Sequence, residues 1–80
     1  MFLLYLLQVL VPVANGSEEM EALNLIDILR RAGANVTVAS VEEKLQIMTR
    51  RHKSILIADI MLDEAIKMQF DLIVMPVHGC

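Results

Sequence analysis

Residues 8–33 read QVLVPVANGSEEMEALNLIDILRRAG, and this stretch decides the fold class. Its first seven residues, QVLVPVA, are almost continuously apolar. A short run of that kind is what a parallel strand covered on both faces looks like. Pro12 lacks the N–H that a central strand donates to its ladder, so it is expected to mark the strand's last pairing positions. Asn15–Gly16–Ser17 is turn chemistry, with Gly16 free to take a positive φ. Ser17 is placed to cap the helix that follows, and Glu18 and Glu19 suit the positive end of its dipole. The helix is expected over residues 18–32. Met20, Leu23 and Ile26, running on to Asp27 and Arg30–Arg31, form a stripe at helical spacing backed by Leu25, Ile28 and Leu29. Gly33 is placed to terminate it.

Working outward, residues 35–41 (NVTVASV) alternate β-branched side chains in strand fashion. Glu42–Glu43–Lys44 turns the chain toward a short segment at residues 45–48, and residues 54–58 are a further strand candidate. A short helix is expected over residues 62–68, after Asp59. Residues 71–75 (DLIVM) read as a third buried strand ending at Pro76. Strand, helix, strand, hairpin-like excursion, helix, strand is the order of an α/β sheet with crossover connections. In open parallel sheets, sites form beyond the carboxyl ends of the strands. Two such ends are visible, at residues 14–21 and 76–80.

Composition bounds the rest. A chain of 80 residues is at most one small domain and buries only about 60–65% of its unfolded surface. Yet 56% of its residues are hydrophobic and 21% charged, with a mean hydropathy of +0.57. This excludes intrinsic disorder, and either something else covers part of the surface or the chain is part of a larger domain. A net charge of −3 and three aromatic residues argue against a nucleic-acid-binding module. The densest basic run, Arg50–Arg51–His52–Lys53, reads as a solvated loop. Cys80 stands alone, which excludes an internal disulfide and a cysteine-rich zinc site. The N-terminal MFLLYLL is too short for a membrane span and lacks the positive n-region of a signal peptide, since no Lys or Arg precedes Arg30. Residues 1–7 therefore read as a hydrophobic extension leading into a buried strand. No membrane is expected as a partner, and the cytoplasm is the expected compartment, with the chloroplast as the alternative.

VLVPVANGSEEMEA at residues 9–22, DILRRAGANVTVASVE at residues 27–42 and FDLIVMP at residues 70–76 together resemble the N-terminal part of the DJ-1/PfpI (ThiJ) superfamily. The likeness is greatest to the plant DJ-1 homologues, which commonly carry two such domains in tandem. It covers residues 8–76, leaving 77–80 as a divergent tail. The resemblance implies a flavodoxin-like, class I glutamine amidotransferase-like α/β fold, present here in part: a parallel sheet with flanking helices that stops before the nucleophile elbow. It implies dimers, with like or unlike DJ-1-type chains. It also implies glyoxalase, deglycase or redox-protective activity on small dicarbonyl substrates, with no added cofactor. In the family a cysteine on a strand-to-helix elbow is assisted by a glutamate from the first helix, in an E-E-x-E run. The matching run here is Glu18–Glu19–Met20–Glu21, which makes Glu21 the catalytic position carried over.

The departures from the family pattern weigh as much as the match. The family's P-G-G stretch supplies backbone donors beside the nucleophile, whereas this chain has Pro76–Val77–His78. Val77 does not readily take glycine-only backbone angles, so the usual oxyanion stabilisation is not expected. Cys80 lies too close to that stretch to be the elbow cysteine, and the 80-residue chain is expected to be catalytically inactive. The alternative expectation is a non-catalytic module that pairs with full-length relatives. His78 and Cys80 provide two ligands at a chain end, which does not make a metal site. The sequons at Asn15–Gly16–Ser17 and Asn35–Val36–Thr37 read as chance, and Met20, Met48, Met61, Met68 and Met75 as core filler.

Overall fold

The computed structural model describes residues 7–16, 18–49 and 54–76. The elements in chain order are β1 (Gln8–Val13), α1 (Glu19–Arg31), β2 (Asn35–Ser40), β3 (Gln46–Met48), β4 (Ile55–Ile57), β5 (Ile60–Met61), α2 (Leu62–Ala65) and β6 (Leu72–Ile73). Four of them form a parallel sheet in the order β5-β2-β1-β6, while β3 and β4 pair antiparallel as a separate hairpin. The expected α/β sheet with flanking helices is therefore present, and the excursion after β2 is a hairpin.

β1 sits between two neighbours, and its alternating side chains feed two cores. Val9, Val11 and Val13 join Ile26 and Leu29 of α1, Val36 and Val38 of β2, and Ile47 of the hairpin. Leu10 points to the other face, where it meets Ala39 and Ala65, with Phe70 packed alongside. The result is three layers: α1 and the hairpin on one face, the sheet, and α2 on the other. Fully burying an aliphatic side chain of this size contributes about 1.5–3 kcal/mol, so the valines of β1 are the main anchor.

Pro12 lies inside β1 without breaking it. The Asn35 N–H donates to the Leu7 carbonyl (2.8 Å) and the Val41 N–H to the Val13 carbonyl (3.0 Å), so odd-numbered residues of β1 face β2. The even-numbered carbonyls of Gln8 and Leu10 accept from Asp71 and Val74 on the β6 side. Pro12 is even-numbered, and the registered pairing with β6 has ended at Leu10 and Ile73. Its missing donor points where no ladder continues. Pro12 and Val13 are the last positions at which β1 pairs with β2, and the pairing with β6 has already ended at Leu10.

Helix α1 runs one residue shorter at each end than expected. Glu18 takes the N-cap position with extended φ/ψ, and its carbonyl accepts the Ala22 N–H (3.0 Å). Ser17, expected there, falls outside the described residues. At the other end Gly33 has φ +96°. Its N–H donates to the Arg30 carbonyl, and the Ala34 N–H donates to that of Leu29. These two bonds are the Schellman pair, which requires the left-handed conformation at Gly33. Gly33→Ala is expected to cost about 1–2 kcal/mol, because a Cβ disfavours that conformation. Urea denaturation would show this as a lowered midpoint with unchanged slope.

Four expectations need correction. First, the buried stripe of α1 is Ala22, Ile26 and Leu29, with Leu25 beside it, whereas Met20, Leu23 and Ile28 are exposed. Apolar residues surround this helix, so periodicity left its rotation open. Second, the third strand is not buried: Leu72 and Ile73 are 43% and 59% exposed, because β6 is an edge strand. Third, the methionines are not core filler, since Met20, Met48, Met68 and Met75 are all exposed and Met61 is half-buried. Met20 and Met48 lie on the outer sides of α1 and β3, and Met68 and Met75 lie in the chain after α2 and β6. Fourth, α2 stops at Ala65 and not at residue 68. The Lys67 and Met68 N–H groups donate to Glu64 and Ala65 in a closing turn.

Candidate functional site at the carboxyl edge of the sheet

All four sheet strands are parallel, so their carboxyl ends gather at one edge. The chain leaves β1 there, turns at Asn15–Gly16 and enters α1, which brings the first turn of the helix to the same edge. Glu21 belongs to that first turn and is exposed. With Asn24, Leu25 and Ile28 it forms one side of a groove of about 400 Å³, and Met75 and Pro76, just past β6, form the other. Residues 21, 24, 25 and 28 share one helical face, adjacent to the buried Ala22–Ile26–Leu29 face. Glu21 is thus the acid that α1 presents toward the chain leaving β6. A carboxylate so placed can accept or deliver a proton, or hold an adjacent polar group.

A second cluster fixes the loop that delivers α1. The Asn15 N–H donates to Glu42 Oε2 (3.1 Å), and the Met48 N–H donates to Asn15 Oδ1 (3.0 Å). The Gly16 N–H donates to the Met48 carbonyl (2.9 Å), with Gly16 at φ +86°. Three hydrogen bonds thereby clasp the β1–α1 loop to the hairpin and to the turn after β2. The sequence presents Asn15 only as a turn residue and a chance sequon, and Glu42 only as part of a turn. Its partners are 27 and 33 positions away, and no local signal announces them. The same turn is tightened by Ser40, whose hydroxyl donates to the Lys44 carbonyl and accepts from the Glu42 N–H.

Glu42, Glu43 and Asp63 line a further hollow of about 440 Å³ beyond β2 and β5. Among the described residues, no group of three or more His, Cys, Asp or Glu side chains could hold a metal ion. Among them, too, no helix is long and apolar enough to cross a membrane. Residues 1–6 of the N-terminal extension at residues 1–7, the basic run at 50–53 with His52, and Val77, His78 and Cys80 lie outside the described residues. The structure therefore brings Glu21 to the edge of the sheet, while His52, Val77, His78 and Cys80 lie outside the described residues.

The model of the DJ-1/PfpI family matches residues 7–77. The chain belongs to the DJ-1/PfpI family. Protein DJ-1 homolog B of Arabidopsis thaliana is 55% identical over 69 residues, and Protein DJ-1 homolog A of the same plant is 52% identical over 69. Those stretches are 86% of this chain but 16% and 17% of the two relatives. Among solved structures, oxidized DJ-1 of Toxoplasma gondii superposes with a TM-score of 0.83 at 44% identity, over 89% of this chain and 38% of that one. The chain thus spans well under half the length of the relatives it matches. Its parallel sheet and flanking helices are the N-terminal part of the DJ-1 fold.

Proposed function

We propose that this chain is the N-terminal part of a DJ-1/PfpI domain whose complete form is a glyoxalase, a deglycase or a protector against redox stress. As 80 residues it is catalytically inactive. The family domain runs over residues 8–76 in this reading, with residues 1–7 a hydrophobic extension and 77–80 a divergent tail. Glu21 is its catalytic carboxylate. The observation that carries the reading is the groove in which Glu21 faces Met75 and Pro76 at the carboxyl edge of the sheet. A nucleophile supplied by chain beyond β6 would meet the carboxylate there, and the carboxylate would tune or relay its proton. Small dicarbonyls are the substrate class, with no cofactor, and the complete protein works as a dimer of DJ-1-like chains in the cytoplasm or, alternatively, the chloroplast.

The test is an assay of the 80-residue chain with methylglyoxal, beside a chimera in which residues 1–76 continue into the remainder of the matching domain of Protein DJ-1 homolog B. No turnover by the short chain and measurable turnover by the chimera are expected. Conversion by the short chain that disappears in Glu21→Ala would overturn the reading.

A second reading is a non-catalytic module that pairs with full-length DJ-1-like proteins. It is favoured by the exposure of Leu72, Ile73 and Met75 along β6 and the chain that leaves it. Exposed apolar surface on an unpaired edge invites a partner strand. The intact mass of the native product, captured with an antibody to residues 18–31, separates the readings. A stable 9.0 kDa species supports the module. A product of about twice that mass or more supports the enzyme domain.

A further inference from the structure

The two outer edges of the sheet are finished differently. Strand β5 pairs with β2 only at Ala39 and Ser40. Among the described residues no strand lies against β2 opposite residues 35–38. Because Asn35 and Val41 direct their N–H groups to β1, the even-numbered residues Val36 and Val38 direct theirs outward along this uncovered stretch. Unpaired outward groups on a strand edge are a template for another strand.

Here both outward groups of Val38 and the carbonyl of Val36 are met by side chains and by one loop residue. Asp59 Oδ2 accepts the Val38 N–H (2.8 Å), and the Asp59 N–H donates to the Val38 carbonyl (2.8 Å). A single residue thus takes both outward groups of Val38, as a neighbouring strand would. Arg30, from the last turn of α1, donates from Nη2 to the Val36 carbonyl (3.5 Å) and lies 3.9 Å from the same Asp59 oxygen. Both side chains are about half exposed, so this edge would otherwise be open to solvent and to other chains. The β6 edge has no comparable cover among the described residues, and Leu72 and Ile73 stand exposed there.

We infer that Asp59, assisted by Arg30, is an edge cap that closes β2 to strand addition upstream of β5. The cap goes beyond the enzyme and module readings and depends on neither. Its consequence is local: strand pairing along residues 36–38 of β2 is blocked, whereas among the described residues nothing covers β6 in the same way.

The test is amide hydrogen exchange at Val38 in the full 80-residue chain, read by NMR, with Val11 as the internal control and sedimentation velocity run in parallel. Asp59→Ala is expected to speed exchange at Val38 roughly tenfold, as loss of one net hydrogen bond implies, to leave Val11 unchanged, and to add larger species. Asp59→Asn keeps an acceptor oxygen and is expected to keep both the protection and the size distribution. Unchanged exchange at Val38 in Asp59→Ala overturns the cap. Faster exchange without new oligomers also overturns it, because the contact would then be local only. Should Asp59→Ala fail to fold, Arg30→Ala is read for new oligomers by the same criterion.

Discussion

Glu21→Ala, made in the chimera that completes the domain, is expected to lower methylglyoxal turnover by about 10²–10⁴-fold, the usual contribution of a positioned acid or base. Its stability should stay within about 0.5 kcal/mol of the parent, as for other surface substitutions. The separation follows from where the residue sits. Glu21 is exposed in the first turn of α1 and contributes nothing to the buried Ala22–Ile26–Leu29 face. Truncating it leaves no cavity and orphans no buried group. Its favourable interaction with the helix dipole is a minor loss, since Glu18 already stands at the N-cap of the same helix. Glu21→Gln keeps the shape and the hydrogen-bonding oxygen while removing the proton-relay capacity, so it should be nearly as inactive as alanine. Turnover within threefold of the parent in both variants would remove Glu21 from the chemistry.

Ile47→Ala is expected to destabilise the chain by about 2–4 kcal/mol, through the lost transfer energy and the cavity left behind. For an 80-residue chain whose whole stability is roughly 4–12 kcal/mol, that is a large share. Ile47 is fully buried although its strand is only three residues long. It is the fully buried side chain by which the hairpin joins the core of Val9, Val11 and Val38, with half-buried Leu56 packed alongside. A two-stranded hairpin is marginal on its own, so losing this anchor should loosen the hairpin before the sheet. The local readout is amide exchange at Met48, whose N–H is held by Asn15, and the global one is the urea midpoint. A midpoint shift worth less than about 1 kcal/mol would mean that the hairpin is held by its hydrogen bonds and not by Ile47.

The parts of this fold that were legible in the sequence are those whose signals are local. β1 and β2 announce themselves by apolar runs and alternation, and α1 by its length, its acidic start and Gly33 at its end. The illegible parts depend on partners distant in the chain. β5 is two residues long and exists only because Ile60 and Met61 pair with Ala39 and Ser40. The rotation of α1 could not be read because Met20, Leu23, Leu25, Ile26, Ile28 and Leu29 offer more than one apolar face. The exposure of β6 is not legible because DLIVM has the composition of a covered strand, and composition does not reveal which face or edge is covered. Glu21 was found through the family's acidic run alone, since an acid in the first turn of a helix is ordinary for electrostatic reasons. The clasp of Asn15 to Glu42 and Met48 had no signal at all.

Pro12 carries a consequence for how the sheet assembles. Sliding a neighbour by one residue along β1 requires β1 to roll over, which exchanges its two faces and its two edges together. Val9, Val11 and Val13 would then leave the α1 side, and Pro12 would present its missing donor to β2. In the native alignment the gap in the donor row falls beside β6, past Ile73, where nothing asks for it. The ring is therefore a key cut for one lock. Correct alignment costs no hydrogen bond, whereas the nearest wrong one forfeits a bond within the sheet's longest pairing.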